Sequence, residues 1–154
     1  MNEKKQVVSS RMIKGVAKSL LSWLRENCNL IPKDTQLRYQ ELNDKEGTSS
    51  LSLHTLKGSV KDTVYVDGSY RGYYPFAIYY RTSPDSTNTR LSAVDLLDSI
   101  ADWIDSQDEL PVLTGLDYVT EVSSVANAVL NKRYSDGTED YVATFELYFE
   151  HVEI

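Results

Sequence analysis

The chain has 154 residues, of which 41% are apolar and 25% are charged, and its formal net charge at pH 7 is −7. This composition is typical of one globular domain, and no apolar run is long enough to span a membrane. The negative charge argues against a nucleic-acid-binding protein, because phosphate contacts need clustered positive charge. We therefore expect one domain over residues 1–154, beginning with a flexible N-terminal segment at 1–9. The single cysteine, Cys28, is expected to be a small buried or half-buried hydrophobe.

The first predicted element is an amphipathic helix over residues 8–27. Its apolar arc, repeating at the helical period, consists of Met12, Val16, Leu20, Trp23 and Leu24. Its opposite arc carries the basic side chains Arg11, Lys14, Lys18 and Arg25. We expect the helix to end near Asn27, ahead of Asn29 and Pro32.

The next two segments predict a hairpin with a protruding loop. Leu37–Leu42 and Leu51–Leu56 are rich in strand-forming residues and flank the polar stretch NDKEGTSS. That stretch contains Asp44 and Lys45, which we expect to lie at the tip of the loop. Charged tips of this kind can contact a neighbouring protein.

A second hairpin is predicted around Asp67-Gly68, a dipeptide that tolerates the positive φ of tight turns. Its strands are Val60–Val66 and Tyr70–Thr82, and the surrounding stretch holds six of the eleven tyrosines. Strand alternation assigns one face, expected under the helices, to Tyr74, Phe76, Ile78 and Tyr80. It assigns the other face to Tyr73, Pro75, Ala77, Tyr79 and Arg81. Aromatic residues on this second face suit a surface covered by another protein, and Pro75 predicts an edge position or a bulge.

A second amphipathic helix is predicted from Ser92 to Gln107. Ser92 is a suitable N-cap, with Asp95 three residues later. The apolar face is formed by Leu96, Leu97, Ile100, Ala101, Trp103 and Ile104. The other face is acidic and carries Asp95, Asp98, Asp102 and Asp105.

The chain closes with a third hairpin, whose strands Tyr118–Leu130 and Tyr141–Val152 flank the turn SDGT with Asp136. The last strand alternates, with one face formed by Tyr141, Ala143, Phe145, Leu147 and Phe149. The order of elements predicts an α+β fold, in which two amphipathic helices pack on one face of an antiparallel sheet and hairpin loops protrude.

Charge is unevenly distributed along the sequence. Residues 1–40 contain eight Lys or Arg and three Asp or Glu, whereas residues 85–154 contain three and fifteen. The basic face of the first helix and the acidic face of the second could face solvent or pair within one subunit. They could also form complementary edges between subunits of a closed ring, which requires two different contact surfaces on each copy.

The residue patterns of catalysis and cofactor binding are not found in this sequence. Two histidines, His54 and His151, are far apart, and no Cys or His has metal-ligand spacing. The acidic row of the second helix is more typical of a solvated face than of a metal site. There is no glycine-rich phosphate loop or nucleophile elbow. We expect an interaction protein with no catalytic residues, no cofactor and no metal.

Three stretches resemble the small minor capsid protein family of long-tailed phages and prophages of Gram-positive bacteria: DGSYRGYYPFAIYYRT, SAVDLLDSIADWIDSQ followed by LP, and DGTEDYVATFELYFE. The resemblance covers residues 10–150 approximately. That family is similar to phage tail terminator proteins.

The resemblance implies a structural virion protein without catalytic residues. It would form a homomeric ring, a hexamer, at the head-proximal end of the tail after assembly in the bacterial cytoplasm. The ring would stop polymerisation of the tail tube protein and dock the head–tail connector, while DNA passes through without specific binding. A neck, head-completion or other phage structural role is the neighbouring alternative. A carbohydrate-binding module that uses Tyr73 and Tyr79 is an alternative of another class.

On this interpretation, subunit and partner contacts are expected from three groups of residues. The first is the outer strand face with Tyr73, Tyr79 and Arg81. The second is the charged helix faces, namely Arg11, Lys14, Lys18, Asp95, Asp98 and Asp102. The third is the hairpin loops with Asp44, Lys45 and Asp136.

Overall fold

The computed structural model describes residues 6–7, 10–32, 35, 37–42, 49–113 and 117–152, excluding the side chains of 6–7, 10–14 and 60. The elements in chain order are β1 (Gln6–Val7), α1 (Ser10–Asn27), β2 (Leu37–Tyr39), β3 (Ser50–Thr55), β4 (Val60–Val64), β5 (Tyr70–Thr82), α2 (Thr87–Asp105), β6 (Asp117–Arg133) and β7 (Glu139–His151). They form two helices and one seven-stranded sheet, which confirms the predicted α+β class.

The sheet is built around β5. All 13 residues of β5 pair antiparallel with β7, from Tyr70 opposite His151 to Thr82 opposite Glu139. On that side the sheet ends with β6, which pairs with β7. On the other side, β4 pairs with the first part of β5 and β3 with the last part, while β1 lies beyond β4 and β2 beyond β3. The longest strands are therefore in the half of the sheet formed by β5, β7 and β6.

β1 lies within the segment 1–9, where we expected a flexible N-terminus. Gln6 and Val7 pair antiparallel with Lys61 and Val60 of β4. A strand at these two residues was not part of the expectation for segment 1–9. The other residues of that segment lie outside the described part of the chain.

The predicted hairpin of β2 and β3 is wrong, because the two strands are parallel. Leu37 lies opposite Leu51, and Tyr39 lies opposite Leu53. The chain leaves β2 at Gln40, a non-glycine residue at φ 49°, whose N–H still donates to the carbonyl of Leu53 at 2.8 Å. A short connection favours an antiparallel pair, so the sequence pattern misled us here.

The predicted alternation of β5 is confirmed. Tyr74, Phe76 and Ile78 are at most 2% exposed and form part of the core. Pro75, however, lies in the central strand and not at an edge. Its carbonyl accepts from the N–H of Leu56 at 3.1 Å, so its missing N–H points to the same side, where the chain passes from β3 to β4. The pairing of β5 with β7 therefore loses no hydrogen bond at Pro75.

Both helices pack on the face of the sheet that carries these core residues. The buried side chains of α1 are Val16, Ala17, Leu20, Trp23 and Leu24, and those of α2 are Ala93, Leu97, Ile100, Ala101 and Ile104. The two helices meet through Trp23 and Trp103, whose ring centroids are 5.0 Å apart. Cys28 is buried beside this cluster, and burial raises the pKa of its thiol.

α2 begins five residues earlier than predicted. Its N-cap is Ser86, whose hydroxyl oxygen accepts from the N–H of Thr89 at 3.2 Å. Ser92, the predicted cap, lies inside the helix and donates to the carbonyl of Asn88 at 3.0 Å. The additional first turn places Arg90 beside the sheet.

Arg90 connects α2 to the start of β7 through a buried carboxylate. Glu139 is 0% exposed and accepts from Arg90 at 3.1 Å, from Arg133 of β6 at 2.5 Å and from the hydroxyl of Tyr141 at 2.6 Å. Burial alone would raise the pKa of Glu139, but these three hydrogen bonds and the nearby charges hold it below its ordinary value. The cluster joins α2, β6 and β7 at one end of the sheet.

The two Asp-Gly turns have the same geometry. In the first, Tyr65 donates to the carbonyl of Ser69, and Gly68 has a φ of 92°. In the second, Tyr134 donates to the carbonyl of Thr138, and Gly137 has a φ of 91°. Both turns confirm the prediction from the dipeptide, because glycine adopts positive φ without strain.

Candidate functional site

The candidate site is the outer face of the sheet, defined as the side of β3, β5 and β7 that is turned away from the helices. On β5 it carries Tyr73, Pro75, Ala77, Tyr79 and Arg81, and the register adds even-numbered residues of β7 from Val142 to Glu150. Pro75 and Ala77 are buried, whereas Tyr73 and Tyr79 are half-buried. On β5 the centre of this face is therefore small and apolar, with a tyrosine on either side, whereas the β7 residues opposite it, Thr144 and Glu146, are polar.

Tyr73 belongs to an aromatic and charged group at the β4 end of the face. Its ring lies 5.2 Å from the ring of Tyr148, and the guanidinium of Arg71 lies 4.1 Å above the Tyr148 ring. Arg71 also approaches Asp62 at 3.7 Å. Burial and the adjacent Glu146 raise the pKa of both tyrosines, so both hydroxyls stay protonated and can donate hydrogen bonds at neutral pH.

Tyr79 lies against a histidine at the β3 end of the face. The rings of Tyr79 and His54 are 4.5 Å apart. Burial lowers the pKa of His54 although Asp140 opposes the shift, so the imidazole is neutral at pH 7. The buried Nε2 of His54 has no hydrogen-bond partner within the described residues. A buried polar atom of this kind is costly when it is left without a hydrogen bond.

Arg81, predicted as a contact residue, is held within its own subunit. Its Nε and Nη2 donate to the two oxygens of Asp140 at 2.7 and 3.0 Å, and Nη2 also donates to Tyr134 at 2.9 Å. The hydroxyl of Tyr134 donates to Asp140 at 2.7 Å. The bond to Asp140 raises the pKa of the Arg81 guanidinium, and the side chain is only 14% exposed. The charge of Arg81 is therefore already paired within the subunit, and the side chain has a structural role at this end of the outer face.

The basic face of α1 is described only in part. The side chains of Arg11 and Lys14 lie outside the described part of the chain. Lys18 is exposed, and Arg25 donates through Nε to the carbonyl of Leu37 at 2.8 Å. Among the side chains that the structure describes, no ion pair joins the two helices.

The acidic face of α2 divides into two pairs. Asp95 and Asp102 are exposed, and within the described residues neither carboxylate has a hydrogen-bond or ion-pair partner. Asp98 accepts from the N–H of Ala128 at 2.9 Å, and Asp105 accepts from the N–H of Ser124 at 2.8 Å. The second pair is committed to the backbone of β6, and no pattern in the sequence indicated this.

The loop residues have different outcomes. Asp44 and Lys45 lie outside the described residues. Asp136 is exposed in the β6–β7 turn, where its carboxylate accepts from the N–H of Thr138 at 2.9 Å. This hydrogen bond lowers the pKa of Asp136, so the turn tip carries a negative charge.

The described residues contain no group of three side chains that could hold a metal ion. None of their helices is long and apolar enough to cross a membrane. A groove of about 250 Å³ lies between α1 and residues 107–112, with Trp23, Glu26 and Gln107 among its lining residues. Neither His nor Cys is among the described residues that line it, so it offers no thiol or imidazole for catalysis.

One solved structure similar to this chain is a component of the "Virion of native gene transfer agent (GTA) particle". The TM-score is 0.64 at 14% identity, and the match covers 92% of this chain and 99% of that chain. Neither a protein-family model nor a curated protein matches the sequence. The likeness shows that this chain has the same fold as a protein of that virion.

Proposed function

We propose that this chain is a structural virion protein that forms the tail terminator of a phage-like particle. Copies of the chain form a homomeric ring, a hexamer, at the head-proximal end of the tail. The ring stops growth of the tail tube and presents a docking surface to the head–tail connector. The observation that carries this proposal is the fold likeness to a virion component over nearly the full length of both chains.

The outer face supports a role in protein contacts. Tyr73 and Tyr79 combine apolar area with a hydroxyl, a combination that is enriched where proteins meet. Tyr79 also packs its ring against that of His54, which holds the tyrosine in place on this face. We propose this face as the main contact surface.

The charged groups have secondary roles in this proposal. Lys18, Asp95 and Asp102 are exposed and can pair with a neighbouring copy, and we propose the same role for Arg11 and Lys14. Exposed pairs of this kind contribute only about 0–1 kcal/mol each, so they set orientation more than affinity. The net charge of −7 suits a ring through which DNA passes without being retained.

Electron microscopy of particles made without this protein tests the proposal. Loss of a terminator should leave tails of irregular, excessive length that carry no heads. Normal-length tails joined to heads would contradict the terminator role. Normal-length tails that are detached from heads would support the neck or head-completion alternative.

The proposed contact surface is tested with purified protein. A Tyr73→Ala/Tyr79→Ala variant should remain folded by circular dichroism and lose the ring in native mass spectrometry. Leu91→Ala is the matched control, because Leu91 is 57% exposed on α2, on the helix side of the sheet. An intact ring in the tyrosine variant would exclude the outer face as the contact surface.

The geometry disfavours a carbohydrate-binding module. Tyr73 and Tyr79 are six residues apart on one strand, which is about 20 Å at ~3.4 Å per residue. The two rings cannot stack on neighbouring sugar units at that distance. Each ring is also packed against another ring of its own subunit, Tyr148 or His54.

A further inference from the structure

Three outer strands of the sheet have one neighbour each in the described part of the chain. β6 pairs with β7 alone, β2 with β3 alone, and the two-residue β1 with β4 alone. An outer strand exposes unpaired N–H and C=O groups that another chain can use to add a strand. β6 is a long outer strand of 17 residues, and it exposes the apolar side chains Val125 and Val129. It is therefore the part of this molecule most open to unwanted strand addition.

The register shows which backbone groups of β6 point outward. The backbone carbonyl of Pro75 accepts a hydrogen bond on the β3 side of β5. Because backbone groups alternate in direction along a strand, the N–H and C=O of Phe76 point towards β7, where Phe76 lies opposite Phe145. Phe145 therefore bonds towards β5 and cannot also bond to β6. Ser124 lies opposite Phe145 on β6, so the N–H of Ser124 points away from β7, to the open edge.

Carboxylates of α2 occupy this edge. Asp105 accepts from the outward N–H of Ser124 at 2.8 Å and from its hydroxyl at 2.6 Å. Asp98 accepts from the N–H of Ala128 at 2.9 Å. Both positions adjoin irregularities in the β6–β7 register, between Ser124 and Ala126 and between Ala126 and Val129. Bulges at an edge, combined with inward-pointing charges, obstruct a further strand.

The opposite side of the sheet has the complementary arrangement. The N–H of Gln40 donates to the carbonyl of Leu53 in β3. Backbone groups alternate in direction along a strand, so those of the even-numbered residues of β2 point towards β3, whereas the N–H and C=O of Leu37 point away from it. Arg25 of α1 donates to this outward carbonyl at 2.8 Å. An outward carbonyl needs a donor and an outward N–H needs an acceptor, so a basic side chain serves β2 and acidic side chains serve β6.

We propose that Asp98 and Asp105 cap the β6 edge of the sheet and that Arg25 caps the β2 edge, so that a second copy of this chain cannot add a strand at either edge. Copies must then associate through other surfaces. This role requires no particular place in a virion. It also explains part of the charge difference between the two helices within one subunit.

The test compares two variants with the same change of charge on the same helix. Asp98→Ala/Asp105→Ala removes both caps, and Asp95→Ala/Asp102→Ala removes two exposed carboxylates that have no described partner. By hydrogen exchange, the amides of Ser124 and Ala128 should exchange roughly tenfold faster or more in the first variant only. Sedimentation velocity should show larger, concentration-dependent species beyond the wild-type assembly, again in the first variant only.

A third variant separates edge opening from general destabilisation. In Asp105→Ala/Ser124→Pro the outward N–H is itself removed, so the larger species seen with Asp105→Ala should decrease. Asp105 is exposed, so the single substitution is expected to fold. Equal exchange and equal association in the cap and control variants would overturn the proposal. Persistence of the larger species after Ser124→Pro would overturn it as well.

Discussion

The two faces of β5 use similar residues in different surroundings. On the core face, Tyr74 and Phe76 are 0% exposed, and burial raises the pKa of Tyr74, whose hydroxyl is hydrogen-bonded to Thr55. On the outer face, Tyr73 and Tyr79 are half-buried, and their rings pack against Tyr148 and His54 of neighbouring strands. Residue type therefore does not distinguish the core of this sheet from its candidate contact surface. The two faces differ in what covers them, since the helices cover only the core face.

The same contrast separates two adjacent carboxylates at the start of β7. Glu139 points to the helix side and joins Arg90 and Arg133, which come from two other elements. Asp140 points to the outer side and joins Arg81 and Tyr134. The first cluster attaches a helix to the sheet, and the second closes one end of the outer face. Substitutions on the helix side should therefore have the greater effect on folding.

The largest difference is expected between Phe76→Ala and Tyr79→Ala. Truncating the buried Phe76 leaves a cavity against Phe145, whose ring centroid is 5.1 Å away, and should cost about 3–5 kcal/mol. Tyr79→Ala should cost about 1 kcal/mol, since its side chain is only partly buried. Urea denaturation measures both. Equal losses would show that the outer face is a second core and not a contact surface.

A clash on the core face gives the next effect. A Cβ added at Gly72 would lie 2.2 Å from the ring of Phe149, so Gly72→Ala should destabilise the fold by about 2–3 kcal/mol. Adding Phe149→Leu should recover part of this loss, because the smaller side chain leaves room for the methyl group. Urea denaturation of both variants measures the recovery. An unchanged free energy of unfolding in Gly72→Ala would mean that Phe149 and its neighbours can move to make room for the added methyl group.

The Glu139 cluster predicts a pH-dependent effect of about 2 kcal/mol for Glu139→Gln. The pKa of Glu139 is lowered in the folded state, so its contribution is present above the ordinary carboxyl pKa and is lost as the pH falls through the folded value. The wild type should therefore lose stability below about pH 4, and the variant should lose less over the same range. Denaturation midpoints at a series of pH values test this. Parallel pH curves for the two proteins would contradict it.

The smallest effect is expected at a position on neither face of the sheet. Gly15 is exposed in α1, and a Cβ there meets no atom within 4 Å. Gly15→Ala should stabilise the protein by about 0.5–1 kcal/mol, because alanine loses less conformational freedom in a helix. A rise in melting temperature is the measurement. A loss would indicate that this side of α1 has a contact of its own.

The sequence predicted those parts of the fold that depend on local periodicity. Alternation in β5 and β7 gave their buried faces, and the Asp-Gly dipeptides gave both turns. The N-terminus of α2 was missed because Ser92 has the pattern of a cap, whereas Thr87 and Asn88 favour helices only weakly. The pair Ser86 and Thr89 was the available signal.

Features that depend on strand pairing could not be read from local pattern. The parallel pairing of β2 and β3 depends on the path of the chain between them. Pro75 is tolerated within β5 because it lies between the part of β5 that pairs with β4 and the part that pairs with β3, and local pattern does not show where this change of partner occurs. In the candidate site, the commitment of Arg81 to Asp140 and of Asp98 to β6 depends on contacts between residues distant in sequence.

The paired β5 and β7 strands have a mechanical consequence. The β4–β5 turn lies at the start of β5 and the β6–β7 turn lies at the start of β7, so the two Asp-Gly turns project from opposite ends of the sheet. They are separated by 13 paired residues, about 40 Å at ~3.4 Å per residue. A force between the two tips would load the β5–β7 ladder in shear, so that its hydrogen bonds resist together and do not open one after another. The subunit should therefore resist extension most strongly along the direction of β5 and β7.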